Sequence, residues 1–378
     1  MRPSLTAVRL LAVLVALQLL AAAAAAECPI PDGGTLFVQA PLGNLIVDTS
    51  GTDVVEIEVT YPGIQVEETC FADRVEVTGI EPERVYENVD WRFRVPASVH
   101  LDLATFAGSV RIQNTAGNVA ARTQGGSVTV GDIGGSASVS TQGGSIVTGD
   151  IGGAAELRSL GGEIHIGDVG GNAELTTAGG AITVGVAAGS MHAETAGGTI
   201  TIEEVRGPLI AVTQAGDIIL GTAGGSVQAR TGGGNIVASL VRGPFQGFTD
   251  FGNIEVRRAE SSIEATSETG DVEGVLVPAD FDGDLHVTLE AKAGNARLSI
   301  PPDMPATLEA IADRNVFQEG RIRSDFSLRS TTPATLPGVL GPQFTPAPSV
   351  SVGEINGGGH PVRVRASGGE VEIRRLPR

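Results

Sequence analysis

The chain has 378 residues, with 44 acidic against 25 basic side chains and a formal charge of −19. A surface that acidic repels nucleic acid and anionic lipid, which excludes both as partners. Glycine, at 53 residues, is about double its usual share while aromatics are only 4%, so the chain is either low in complexity or needs tight turns at regular intervals.

Residues 1–26 are expected to be a cleaved secretory leader. Arg2 and Arg9 supply the positive start, Leu10 to Leu20 are apolar, and Ala21 to Ala26 are small. The 17 residues from Leu10 to Ala26 end in alanine and meet Glu27 at once, too short and weak a stretch for a membrane span. No transmembrane segment is expected after the leader, so the expected setting is the periplasm, the cell surface or the medium outside. Arg2 and Arg9 are the leader's only charges, so its removal takes the formal charge from −19 to −21. Glu27 before Cys28 argues against lipid attachment. In an oxidising compartment the two cysteines, Cys28 and Cys70, are expected to form a disulfide.

Residues 27–107 show no period. They contain alternating segments at 35–38, 45–48, 54–60, 74–78, 91–95 and 99–103, expected as strands of a β-rich N-terminal cap, together with Tyr61, Tyr86 and Trp91. A solenoid needs such caps to cover its open sheet edges.

From Gly108 the chain repeats. A glycine recurs every 18 residues from Gly108 through Gly126 and Gly144 to Gly270, and a second column lies nine residues on, from Gly117 to Gly243, broken at Ser261. Two residues after the first glycine stands a β-branched residue in every repeat, from Val110 and Val128 to Ile254 and Val272. Apolar residues then alternate as in a strand, and the second nonapeptide repeats the alternation with smaller groups such as Ala137/Val139 and Ala155/Leu157. Helices are excluded, because a glycine every nine residues would cost about 1 kcal/mol each. A nonapeptide cannot cover its own apolar face, so the expected fold is all-β: a parallel β-solenoid with 18-residue coils and two facing sheets over 108–300. The apolar spacing follows nine residues and so argues against a three-sided hexapeptide solenoid. Turns such as Gly131-Asp132-Ile133-Gly134-Gly135 lack the GGxGxDxUx signature of calcium-binding rolls. Glycine at the corners is expected to supply positive φ.

Two columns have alternative readings. Thr123, Thr141, Ser159 and Thr177 begin a hydroxyl column that can bond turn backbone, or could form a ladder contacting ice or glycan. Asp132, Asp150 and Asp168 share one coil position, as solvated turn caps or as a divalent-cation site, calcium by preference.

Residues 301–378 are expected as irregular C-terminal coils, with a Pro-rich loop over 330–349 that holds Pro333, Pro337, Pro342, Pro346 and Pro348. Here the chain resembles a bacterial β-strand-repeat family named the "putative adhesin" family, a domain without an assigned activity. The resemblance covers most of residues 90 to 375. It rests on Phe93-Arg94-Val95-Pro96 leading into the coils, on the recurrent Thr-x-Gly-Gly-x-Ile pattern, on Arg323-Ser324-Asp325-Phe326, and on the glycines at 357–359 and 368–369. It implies the coiled fold, and its name an adhesive role.

No reactive chemistry is legible. His100, His165, His192, His286 and His360 are scattered without metal-ligand spacing, and no nucleophile elbow or phosphate loop occurs. The expected function is non-catalytic binding, with an envelope glycan or surface protein as partner and no cofactor. The alternatives are a self-associating envelope scaffold or a polysaccharide-active enzyme.

Overall fold

The computed structural model describes residues 28–50, 53–60, 64–80, 89–313, 320–331 and 348–377. The leader, Tyr61, Tyr86 and most of the Pro-rich loop lie outside them. Among the described residues there is no helix, and hence none long and apolar enough to cross a membrane. The chain is a two-sheet parallel β-solenoid, and among the described residues its sheets hold 17 and 18 strands.

In the middle of the stack each coil supplies one strand to each sheet. Val110–Ile112, Val128–Val130 and Ile146–Thr148 pair in parallel on one sheet, and Val119–Thr123, Ala137–Thr141 and Ala155–Ser159 on the other. The register joins residues 18 apart, such as Val128 with Ile146, so identical coil positions stack into columns. Inward side chains are buried and their neighbours exposed, the alternation a strand needs when only one face meets the core. A third column of Ile133, Ile151 and Val169 closes one corner through parallel bridges. One apolar core runs from Cys28 to Ile373.

The glycine columns have a different cause from the expected one. Gly108 and Gly252 have φ of +146° and +158°, but Gly126, Gly144, Gly162 and Gly180 do not enter the left-handed region. What they require is space: a Cβ at Gly126 would run into the carbonyl of Gly108, and one at Gly180 into that of Gly162. Coils approach so closely at this corner that no side chain fits between them.

Both ends depart from sequence order in the same way. The first coil, Thr35–Ala40 and Asn44–Asp48, lies between the coil made by Arg74–Ile80 and Asp90–Arg94 and the coil made by His100–Thr105 and Val110–Ile112. The last coil, His360–Ser367 and Glu370–Arg375, lies between Val287–Ala291/Ala296–Ile300 and Ala306–Asp313/Arg321–Ser324. The glycine column continues through these inserted coils. A Cβ at Gly108 would strike Gly43, and one at Gly369 would strike Gly294.

Antiparallel strands then close the edges. At the N-terminal end Val54–Val59 pairs with Asp90–Arg94 on one sheet and Gln65–Cys70 with Arg74–Ile80 on the other. Cys28–Pro29 pairs with Val54–Val59, so the disulfide between Cys28 and Cys70 ties the two edge strands together across the sheets. At the C-terminal end Ser349–Ile355 pairs antiparallel with Ala306–Asp313 on one sheet. Trp91, fully buried in the N-terminal segment, donates its indole N–H to the carbonyl of Leu42 at 2.9 Å.

Candidate functional surfaces

The hydroxyl column is buried. Its members are at most 5% exposed, and each donates to a glycine carbonyl of the preceding coil. Thr195 shows the full pattern, in which Oγ1 donates to the carbonyl of Gly180 at 2.8 Å and accepts the N–H of Gly198 at 3.2 Å, while Thr249 and Ser267 make only the donated bond. The acceptor belongs to the glycine corner of the preceding coil, so each threonine staples two coils where their backbones run closest. A column sealed in this way cannot touch ice or glycan. Thr148 is the exception among buried threonines; it occupies an inward position held in the neighbouring coils by Val130 and Ile166, and its hydroxyl has no partner.

Asp132, Asp150 and Asp168 stack in the expected line and remain at the surface. Oδ1 of Asp132 accepts the N–H of Asp150 at 3.1 Å, Asp150 that of Asp168 at 2.9 Å, and Asp168 that of Val186 at 2.9 Å. Asn114 begins the ladder by accepting the N–H of Asp132. This is the turn-capping arrangement: each carboxylate satisfies an N–H that the sharp turn leaves without a carbonyl. The column stops at Val186 because the strand there runs straight through the corner as Ile182–Ala187, and Val186 pairs directly with Glu204. Among the described residues the three groups drawn to one point with metal-ligand atoms are Cys28, Glu68 and Cys70, whose sulfurs are bonded to each other. Burial there pushes the Glu68 carboxyl above its ordinary value.

Two further ladders escaped the sequence reading. Asn118 and Ser136 accept the N–H groups of Ser136 and Ala154, and Asn172 that of Ser190. Asp217, Asn235, Asn253, Asp271 and Asn295 each accept the N–H of the residue stacked above, the last from Glu370 of the inserted coil. Their signal is a coil position restricted to short acceptor side chains.

His286 was also missed as a site. It sits where one coil lengthens from 18 to 24 residues, with Nδ1 2.8 Å from Asp284 Oδ1 and Nε2 2.9 Å from Glu264 Oε1. Burial works against the charged ring, but the two carboxylates outweigh it and hold its pKa above the ordinary imidazole value. The same contacts hold Asp284 below the carboxylate range. His165 and His192 point outward on separate sheets, and His100 Nδ1 accepts the N–H of Asn118. The histidines are not brought together.

The outer faces carry the remaining chemistry. On the sheet of Val128–Val130 the outward column includes Thr129, Val147, Thr183, Thr201, Ile219 and Val237. Phe106, Leu160 and Phe251 are 62%, 62% and 67% exposed near the Thr–Gly corner.

No family model matches the chain, and no curated protein matches it significantly. A solved structure described as "a putative cell adhesion protein from Clostridium sporogenes" is similar over 93% of this chain and 97% of that one, at 7% identity. Its TM-score is 0.16, and at that score it carries no argument. The resemblance to the adhesin-named family therefore stands on its quoted residues alone.

Proposed function

We propose that this chain is an exported, non-catalytic binding rod that presents its outer faces to an envelope glycan or surface protein. The observation that carries the reading is the unbroken parallel register from Val119–Thr123 to Val287–Ala291, which sets outward side chains in straight ranks one coil apart. Stacked parallel strands lie about 4.8 Å apart, so such ranks offer a rigid, repetitive surface that needs little ordering on binding. The Cys28–Cys70 disulfide supports export, since such bonds persist in oxidising compartments. The test is saturable binding of the leaderless protein to isolated cell-envelope fractions, alongside a reducing-sugar assay on the same polysaccharides. Envelope binding without product release is expected; release of reducing ends would replace this reading with an enzyme.

Val66, Phe71 and Ile80, between 39% and 42% exposed at the N-terminal end, favour a second reading as an end-to-end scaffold. Light scattering that grows with concentration would select it.

A further inference from the structure

Beside the N-terminal coils lies an open cleft of about 680 Å³, within the size range of small-ligand sites. One rank of its wall is Phe106, Gln124, Gln142 and Leu160, which follow the buried hydroxyl residues Thr105, Thr123, Thr141 and Ser159 in successive coils. A parallel rank two residues earlier is Ala104, Arg122, Ser140 and Arg158, where the small residues leave room between the two guanidinium arms. Three coil steps of about 4.8 Å put Phe106 and Leu160 roughly 14 Å apart along the stack, with the two carboxamides between them.

We propose that this cleft binds a neutral oligosaccharide lying along the stack axis, with sugar rings on Phe106 and Leu160 and hydroxyls on Gln124 and Gln142. The inference rests on the binding reading above and gives it a site and a ligand class. A carboxamide both donates and accepts, which matches sugar hydroxyls that do the same, and among the described residues neither amide bonds within the chain. Exposed aromatic and branched side chains suit the C–H faces of pyranose rings. Charge selects a neutral sugar over an acidic one. Arg122 is paired with Asp102 at 3.1 Å, and Arg158 with Glu156 at 3.1 Å and Glu174 at 2.8 Å, so the guanidiniums can donate hydrogen bonds without giving the patch a positive charge. A peptide strand is disfavoured, because strands on this wall already pair on both sides and offer no edge to extend.

The test titrates the secreted protein with neutral hexasaccharides of glucose, mannose, galactose, xylose and N-acetylglucosamine, and with an acidic hexasaccharide of galacturonate. At least one neutral sugar should bind and the acidic one should not. Phe106→Ala and, separately, Gln142→Ala should each weaken binding by about tenfold. Phe106→Trp should preserve it, as should Phe251→Ala, which removes an equally exposed ring elsewhere, with unchanged melting temperatures showing that the variants are folded. Binding that survives both truncations, preference for the acidic sugar, or no binding of any neutral sugar would overturn the proposal. If the parent still binds envelope fractions in those cases, the site falls and the binding reading stands; if it binds neither, both fall.

Discussion

Between Val119–Thr123 and Ile263–Ser267 every strand pairs with the strand one coil before and one coil after it in sequence, whereas at either end the neighbour in space is not the neighbour in sequence. The middle is held by repetition, with glycine clearing the corner, threonine stapling it, and short acceptors capping the turns. The ends are held by devices that do not repeat along the stack, namely an inserted coil and antiparallel edge strands at each end, with a disulfide at the N-terminal end alone. A repeat can propagate a stack, but it has no means of stopping one, because each added coil leaves the same open edges.

The largest test falls on the N-terminal end. The sequence separation of 42 between Cys28 and Cys70 corresponds to about 4 kcal/mol of loop closure in the chain-entropy model. A Cys28→Ala/Cys70→Ala variant should lose that much in denaturant unfolding, with hydrogen exchange rising first in Val54–Val59 and Gln65–Cys70. Unchanged exchange there would mean that antiparallel pairing alone closes this end.

In the middle, Gly180→Val should cost about 3 kcal/mol, the upper end for overpacking, while Thr183→Val on an outward position should stay within about 0.5 kcal/mol. Gly180→Ala decides the cause, since a steric origin predicts that one methyl group already costs most of the loss. Thr195→Val should cost about 2 kcal/mol by orphaning the Gly180 carbonyl and the Gly198 N–H. Thr148→Val should act in the opposite sense and raise stability by about 1 kcal/mol, because it removes a buried hydroxyl without a partner. Equal effects at Thr195 and Thr148 would remove the distinction between staple and filler.

A smaller effect belongs to the C-terminal boundary. The folded pKa of His286 lies above its unfolded value of about 6.5. Its ion pairs therefore stabilise fully below that value, and the contribution fades as pH rises through the folded pKa. His286→Gln should lower the melting temperature at pH 5.5 and leave it nearly unchanged at pH 9, a window of roughly this width following from the raised imidazole. A loss of equal size at both pH values would assign the residue to packing. The smallest effect is expected at Asp150→Asn, within about 0.5 kcal/mol, since asparagine caps the same kind of turn at Asn114 and Asn172.

The middle was legible because its period is unbroken: Val128, Ile146 and Ile164 declare register, facing and parallel pairing at once. The ends were legible only as strands. All six segments expected before Gly108 form strands, but nothing in Thr35–Ala40 states that its partners are Arg74–Ile80 and His100–Thr105. Gln65–Cys70 was missed because it is a polar edge strand, mostly exposed, with no alternation to betray it. The Asp column was visible because three identical residues recur, whereas Asn118, Ser136 and Asn172 do similar work with different side chains and a gap at Ala154. The glycine columns were found for the wrong reason, since spacing reveals a constraint without saying whether it is torsional or steric.

The inserted last coil also governs how the molecule can be made. As the chain emerges, Val287–Ala291 and Ala296–Ile300 appear well before the strands that will cover them, and Ala306–Asp313 cannot dock directly against them because that place belongs to His360–Ser367. Assembly at this end waits for the final segment, in contrast to a coil that docks as soon as it is synthesised. A nascent chain stalled before His360 would present raw strand edges to every other such chain, so this end is open to edge-to-edge association until the final segment is in place.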